Sequence, residues 1–251
     1  MSKPLTDKVA LVTGGAVRVG RALAEALAAQ GARVAVHSRA SSSDATLAAI
    51  RAAGGEAAGF SADLSDDAAL HTLVDRVEAS LGPVDILINS AAGFERVAFL
   101  QTPAETLDAQ WSLNARAPFL LTQRVARGMV ARQSGHVVNI LDLGGALVPW
   151  AGYAAYCMSK AALAMLTLGL ALELAPYVRV NGVAPGTVLP PVTLSPAELE
   201  ALKSRIPLQR FGSPKDVADT VVFLLTGPSF ITGQIIAVDG GRLRGMSARQ
   251  G

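Results

Sequence analysis

A parallel, doubly wound α/β sheet in a single domain, residues 1–251, is the architecture this sequence predicts. Three observations carry the prediction. Short β-rich runs alternate with Ala/Leu-rich helical runs along the chain, a glycine-rich turn follows the first of them, and no linker or internal repeat interrupts the pattern. Strands alternating with helices of this length build right-handed βαβ units, whose strands lie parallel. With 51% hydrophobic and 17% charged residues in a chain of 251, there is enough apolar material for a full core and little tendency to disorder.

The first strand is placed at Val9–Thr13. It leads through the turn into "RALAEALAAQG", whose apolar residues recur at helical spacing until Gly31 stops the helix. The remaining strands are placed at Val34–Ser38, Ala57–Ser61, Ile86–Asn89, His136–Leu141, Val178–Val183 and Gln234–Val238. An irregular stretch at about 185–207, with prolines at 185, 190, 191, 196 and 207, reads as a substrate loop or lid.

Composition excludes several function classes. A net charge of +2 without a Lys/Arg tract does not point to nucleic acid. One cysteine, Cys157, rules out an intrachain disulfide and a Cys-rich metal framework, and no metal site is expected. The start "MSKPLTDKVA" has no signal-peptide core. The apolar window Ala161–Leu172, between Lys160 and Glu173, is shorter than the roughly 20 residues of a membrane span. A cytoplasmic protein acting on a small molecule, without membrane contact, is expected.

The turn Thr13–Gly20, "TGGAVRVG", follows the first strand and opens a helix, which is where a dinucleotide pyrophosphate is held on free backbone N–H groups. Gly14, Gly15 and Gly20 permit the tight turn, with Arg18 and Val19 beside the phosphates. The second strand ends "HSRASSS" rather than in the acid that accepts from a ribose 2′-hydroxyl. His37, Ser38 and Arg39 there fit a 2′-phosphate, so NADP(H) is the expected cofactor. The other reading of Arg39 is a solvated surface charge.

In "GYAAYCMSKAALAML", Tyr156 and Lys160 stand at i and i+4 and share a helix face. An ammonium beside a phenol favours the phenolate and lowers its pKa, giving a proton donor suited to neutral pH.

Together these residues resemble the short-chain dehydrogenase/reductase superfamily over nearly the whole chain. The ordered matches are "TGGAVRVG", "ADLS" at Ala62–Ser65, "NSAAG" at Asn89–Gly93, Asn114 in "SLNARAPF", "VVNILD", "YCMSK", "RVNGVAPG" and "ITGQIIAVDGG". The resemblance implies a Rossmann-type fold, nicotinamide chemistry and a homotetramer. It implies that Asp63 and Leu64 flank the adenine, that Asn89 and Ala91 line the cofactor cleft, and that Pro185 and Gly186 border the nicotinamide. Tyr156 would donate the proton, Lys160 would bind the nicotinamide ribose and tune Tyr156, and Asn114 would hold a relay water.

Two departures point to one branch. Asp142 stands where most of the superfamily has a serine, with no Ser or Thr from Val137 to Tyr153, and Arg18 stands in a glycine place. Both features, with "HSR", Phe94 and the "DGGRLR" tail, are similar to the pteridine reductases. That resemblance implies a pterin stacked between Phe94 and the nicotinamide, with Arg18 donating to its ring and Asp142 relaying a proton to a ring nitrogen beside Tyr156. Asp142 has a second reading as the cap of a following turn, and Tyr153 borders the pocket or packs in the core. Cys157 reads as a packed thiol. Ser90, Ala92 and Gly93 depart from the branch, as does one extra residue between Asp142 and Tyr156. The leading expectation is an NADPH-dependent reductase of a dihydropteridine or dihydrofolate-type substrate, and the competing functions are a carbonyl reductase acting on a ketone, a quinone or a 3-oxoacyl thioester and a non-catalytic NADP-binding regulator.

Overall fold

The computed structural model describes residues 3–190 and 193–245. The chain begins with β1 (Val9–Val12), a continuous apolar run buried on both faces, as a central parallel strand requires. Ala10 and Val12 face one apolar layer and Val9 and Leu11 the other. α1 (Arg18–Ala29) buries Gly20, Leu23, Ala24, Leu27 and Ala28, one stripe at helical spacing. There follow β2 (Arg33–Ser38), α2 (Asp44–Ala52), β3 (Glu56–Ser61), α3 (Asp67–Leu81) and β4 (Ile86–Asn89). The second half holds α4 (Ala104–Trp111), α5 (Ala117–Ala131), β5 (Gly135–Ile140), a one-turn α6 (Leu143–Ala146) and α7 (Ala154–Glu173). It closes with β6 (Val178–Pro185), α8 (Pro196–Lys203), α9 (Pro214–Thr226), β7 (Ile235–Val238) and α10 (Arg242–Gly245). All seven expected strands form among the described residues, with ends shifted by one or two positions. Pro191 of the expected loop lies outside the described residues.

The strands form one parallel sheet in the order β3-β2-β1-β4-β5-β6-β7. The order reverses between β1 and β4, and a crevice opens at the carboxyl ends of those strands. α1, α2 and α9 supply the apolar layer on one face, and α3 and α5, with Ala171 of α7, that on the other. Asn114 sits in a π-helical turn, Ser112–Arg116, between α4 and α5. Such turns re-aim side chains and recur at functional sites.

α7 is 20 residues long and apolar enough to cross a membrane by length and composition, longer than the window read from sequence because the helix runs back through Lys160. One face of it packs inward. Tyr156, Ser159, Lys160, Leu163, Ala164, Thr167 and Ala171 are buried along one face. Lys160 makes its hydrogen bond to the end of β5.

Candidate active site

The crevice is a continuous cleft of about 890 Å³, within the range of small-molecule sites. At one end the turn after β1 is locked by Thr13. Its Oγ1 donates to the Ile88 carbonyl (3.3 Å) and accepts from the N–H groups of Ser90 (2.9 Å) and Ala91 (3.0 Å). Gly14 takes φ +63°, and a Cβ there would stand 3.0 Å from Ala91 Cα. A Cβ on Gly20 would lie 2.0 Å from the Gly14 carbonyl oxygen, so α1 abuts the turn only because that residue is glycine. This backbone cradle at a helix start fits a dinucleotide pyrophosphate. Arg18 holds the left-handed conformation, φ +55°, in which a glycine would be unstrained, and its exposed side chain lines the cleft.

His37 lines the cleft with Ser38 and Arg39, and its ring is also bonded within the protein. Its ring accepts from the Gly14 N–H at Nδ1 (3.2 Å), which leaves the proton on Nε2, 3.1 Å from the Ala62 carbonyl. Burial pulls its pKa below the usual histidine value. Neutral and bonded through both nitrogens, His37 ties β2 and β3 to the glycine turn rather than offering a cation to a phosphate. Ser38 and the exposed Arg39 line the cleft beside it.

Three expected positions lie outside the cleft lining. The Asp63 carboxylate accepts from Ser65 N–H (2.9 Å) and Oγ (2.7 Å), and these bonds hold its pKa below the usual carboxylate value. Its neighbour Leu64 lines the cleft instead. Asn89 is buried, with Nδ2 donating to Asn139 Oδ1 (2.8 Å) and Thr122 Oγ1 (3.3 Å), so its amide braces β4 against β5 while Ser90 and Ala91 line the cleft. Asn114 is wholly buried. Its amide exchanges hydrogen bonds with the Gly93 backbone (2.8 and 2.9 Å) and donates to Ser159 Oγ (3.0 Å). This geometry positions the loop carrying Phe94 and does not present Asn114 to the cleft.

At the other end Asp142, Tyr156 and Lys160 converge. Asp142 follows the end of β5, and the first two turns of α7 carry Tyr156 and Lys160. Asp142 meets both neighbours, for Oδ1 caps the next turn by accepting from Gly144 N–H (2.8 Å) while Oδ2 accepts from the Tyr156 hydroxyl (3.0 Å). Burial pushes the Asp142 carboxyl above its ordinary pKa, opposed by those two hydrogen bonds and by the charges of Lys160 and Arg242. The Lys160 ammonium donates to the Ile140 carbonyl (2.9 Å) and stands 5.9 Å from the Tyr156 ring centroid. Burial brings its pKa down to about 8.

The expectation that Lys160 lowers the Tyr156 pKa is corrected by this arrangement. Burial first, and then the Asp142 carboxylate at its hydroxyl, push the phenol above its ordinary value. Tyr156 therefore holds its proton firmly.

Phe94 lines the cleft, stacked on Tyr153 (centroids 4.8 Å apart, planes at 16°) and edge-on to Tyr156 (4.8 Å, 81°). Trp150 packs edge-on to both Phe94 and Tyr153. Tyr153 thus borders the pocket, and one face of Phe94 is already covered. Val19, Pro185 and Gly186 line the cleft as well. A Cβ on Gly186 would meet Asp239 Cα at 2.9 Å, so glycine there lets the chain after β7 close against the cleft. Cys157, partly buried, lies where Gly145 approaches it closely, which fits a packed thiol.

Sequence reasoning missed Thr13, Trp150, Thr187 and Arg242. Trp150 was findable, lying between two residues already singled out and three before Tyr153. Arg242 stood in the sequence only within the "DGGRLR" match, and its pairing with Thr187 carries no local signal, because 55 positions separate two side chains that bond to one another at 2.8 Å.

A family model described as enoyl-(acyl carrier protein) reductase matches residues 15–242. The 2,3-dihydro-2,3-dihydroxybenzoate dehydrogenase of Bacillus subtilis (strain 168) is 35% identical over 98% of this chain and 99% of its own length. A 3-oxoacyl-[acyl-carrier-protein] reductase of Synechocystis sp. (strain ATCC 27184 / PCC 6803 / Kazusa) is 37% identical over 94% of this chain and 97% of its own. Among solved structures, the short-chain dehydrogenase/reductase from Serratia marcescens BCRC 10948 superposes with a TM-score of 0.88 at 34% identity, covering 96% of this chain and 99% of that one. With the parallel sheet, the glycine cradle and the Tyr156–Lys160 pair already in place, these likenesses establish that the chain belongs to the short-chain dehydrogenase/reductase superfamily, a family of oxidoreductases.

Proposed function

We propose that the protein is an NADPH-dependent reductase that acts on the carbonyl group of a small, ring-bearing substrate. The observation that carries the reading is the protonated Tyr156 hydroxyl in the cleft, with Lys160 buried beneath its ring. The relatives' names, a 3-oxoacyl-[acyl-carrier-protein] reductase and a bovine L-xylulose reductase among them, support a carbonyl as the reduced group. The nicotinamide, when bound, supplies the hydride. Gly14, Arg18, Val19 and Gly20 would hold its pyrophosphate, and Pro185 and Gly186 would border its reactive ring. Tyr156 delivers a proton to the oxygen of the reduced group, and Lys160 orients the ribose and balances charge at Tyr156. Asp142, whose pKa burial raises, stands where a serine stands elsewhere in the superfamily and would supply the second hydrogen bond when it carries its proton.

A second reading, reduction of a C=N bond in a pteridine, is favoured by one specific observation. Asp142 Oδ2 engages the Tyr156 hydroxyl at 3.0 Å, an acid pair suited to protonating a ring nitrogen. The aromatic wall of Phe94, Trp150 and Tyr153 suits a flat heterocycle. NADPH oxidation measured against ketones, a 3-oxoacyl thioester, biopterins, monapterin and folates separates the two. Turnover confined to pterins and folates overturns the carbonyl reading, and turnover of none of them overturns both.

The preference for NADPH rests on Ser38 and Arg39 in place of an acid. Arg39→Ala is expected to weaken NADPH binding by about 1.5–3 kcal/mol, the range of a charge-assisted hydrogen bond, while NADH binding is little changed. Equal losses in a calorimetric titration of both cofactors would show that Arg39 does not meet the 2′-phosphate.

Assembly as a homotetramer is part of the proposal. α7 turns Met158, Met165 and Leu172 outward, and α5 exposes Phe119, apolar surface that a second copy would cover across a two-fold axis. Light scattering should report four chains per particle at micromolar concentration, and a monomer would refute the assignment.

A further inference from the structure

The chain after β7 brings to the substrate end a cation that none of the steps above uses. Asp239, Gly240 and Gly241 form a turn in which the glycines take φ +64° and +87°. A Cβ on Gly240 would lie 2.7 Å from Ile206 Cγ2, and one on Gly241 3.2 Å from Pro207 Cγ, so the turn is pressed onto the Pro-rich segment. Both Asp239 carboxylate oxygens are engaged by backbone, Oδ1 by Gly241 N–H (2.9 Å) and Oδ2 by Leu243 N–H (2.7 Å). The carboxylate therefore fixes the start of α10 while Arg242 reaches back into the cleft. There it lines the same cavity as Asp142, Trp150, Tyr153 and Tyr156, and its Nη1 donates to Thr187 Oγ1 at 2.8 Å.

Among the described residues Arg242 belongs to no ion pair. A guanidinium has five N–H donors, and one is used here. Burial first, and then the charge of Arg205, lower the Arg242 pKa, while Asp142 and Asp239 offset this only in part, so a bound anion would stabilise the cation further. We propose that Arg242, steadied by Thr187, is a specificity-determining residue that binds a carboxylate carried by a flat, ring-bearing substrate. This rests on the reading of that end of the cleft as a reductase's substrate site. The planar guanidinium fork matches a carboxylate, and the aromatic wall of Phe94, Trp150 and Tyr153 takes the ring.

Benzoate and benzamide, alike in shape and different in charge, test this by calorimetric titration of the NADPH-saturated protein at neutral pH. The parent should bind benzoate in preference to benzamide. Arg242→Gln should weaken benzoate about 10- to 100-fold, the equivalent of one charge-assisted hydrogen bond, and leave benzamide and NADPH unchanged. Arg242→Lys, which keeps the charge without the fork, should retain part of the preference and guards against a folding defect in the first variant. Absence of benzoate binding to the parent, or equal effects on both probes in both variants, overturns the proposal. Benzoate binding that depends on Arg242, in a protein that turns over no carbonyl or pterin, would sustain the anion site and refute the reductase reading. Turnover with binding blind to charge would do the reverse.

Discussion

Replacing Asp142 by serine is expected to lower pterin turnover about 10²- to 10⁴-fold if Asp142 works with Tyr156 in proton delivery, the usual contribution of a general acid. The fold should tolerate the change, because serine is also a good N-cap and can still accept from the Gly144 N–H. Under the carbonyl reading the outcome inverts. Serine restores a neutral donor to the substrate oxygen at every pH, and ketone reduction should hold or rise. One variant assayed on both substrate classes thus separates the two mechanisms. Pterin turnover unchanged from the parent would reduce Asp142 to a turn residue.

The same variant has a pH signature. Burial raises the Asp142 pKa, so the carboxyl keeps its proton to higher pH than an ordinary aspartate and loses it as pH climbs through the raised value. A step that needs the protonated acid is therefore fastest at mildly acidic pH and declines toward alkaline pH. Lys160, with its pKa brought down to about 8, loses its charge at the upper end and removes the countercharge at Tyr156. In a profile of kcat/KM against pH, Asp142→Ser should erase the lower decline and move the Lys160 fall below pH 8, because the Asp142 charge that raises the Lys160 pKa is gone. A profile identical to the parent's would show that Asp142 does not titrate in the reaction.

The largest structural effect is expected from Gly20→Ala. The added methyl would lie 2.0 Å from the Gly14 carbonyl oxygen and 2.7 Å from its carbon. Both are backbone atoms, so no side-chain rotation relieves the clash, and α1 must lift from the turn. The cost should be about 3 kcal/mol or more, at the top of the overpacking range. That corresponds to a drop in Tm of roughly 6–12 °C for a chain of this size. NADPH affinity should fall with it, because the same displacement moves the N–H groups of the cradle. A variant with the parent's melting temperature and NADPH affinity would show that the turn relaxes freely.

How far the site was legible depends on what each residue needed from its neighbours. Tyr156 and Lys160 were readable because helical geometry alone puts i and i+4 on one face. The glycine turn was readable because its position after a strand and before a helix restricts the backbone. His37 was placed at the cleft, where it lies, but its charge state was not legible. Position at the end of the second strand suggests a cofactor partner, but whether an imidazole is a cation or a neutral bridge depends on its burial and on Gly14 and Ala62 at its two nitrogens. Asn89 and Asn114 were placed at the cleft by motif, yet their amides are used within the protein, on Asn139, Thr122, Gly93 and Ser159.

The direction of the Tyr156 shift marks the same boundary. Sequence spacing supplies the cation four residues away, which favours a lower pKa. The three-dimensional fold adds burial and sets a carboxylate 3.0 Å from the hydroxyl, and together these outweigh it. By itself the sequence determined the parallel α/β sheet, the cradle after its first strand and the pairing of phenol with ammonium, because each follows from short-range periodicity or from the steric demands of single residues. Only the tertiary structure decided the charge state of that machinery and which distant side chains, Arg242 and Thr187 above all, share its cleft. Desolvation and Coulomb interaction act through space, and separation along the chain does not record them.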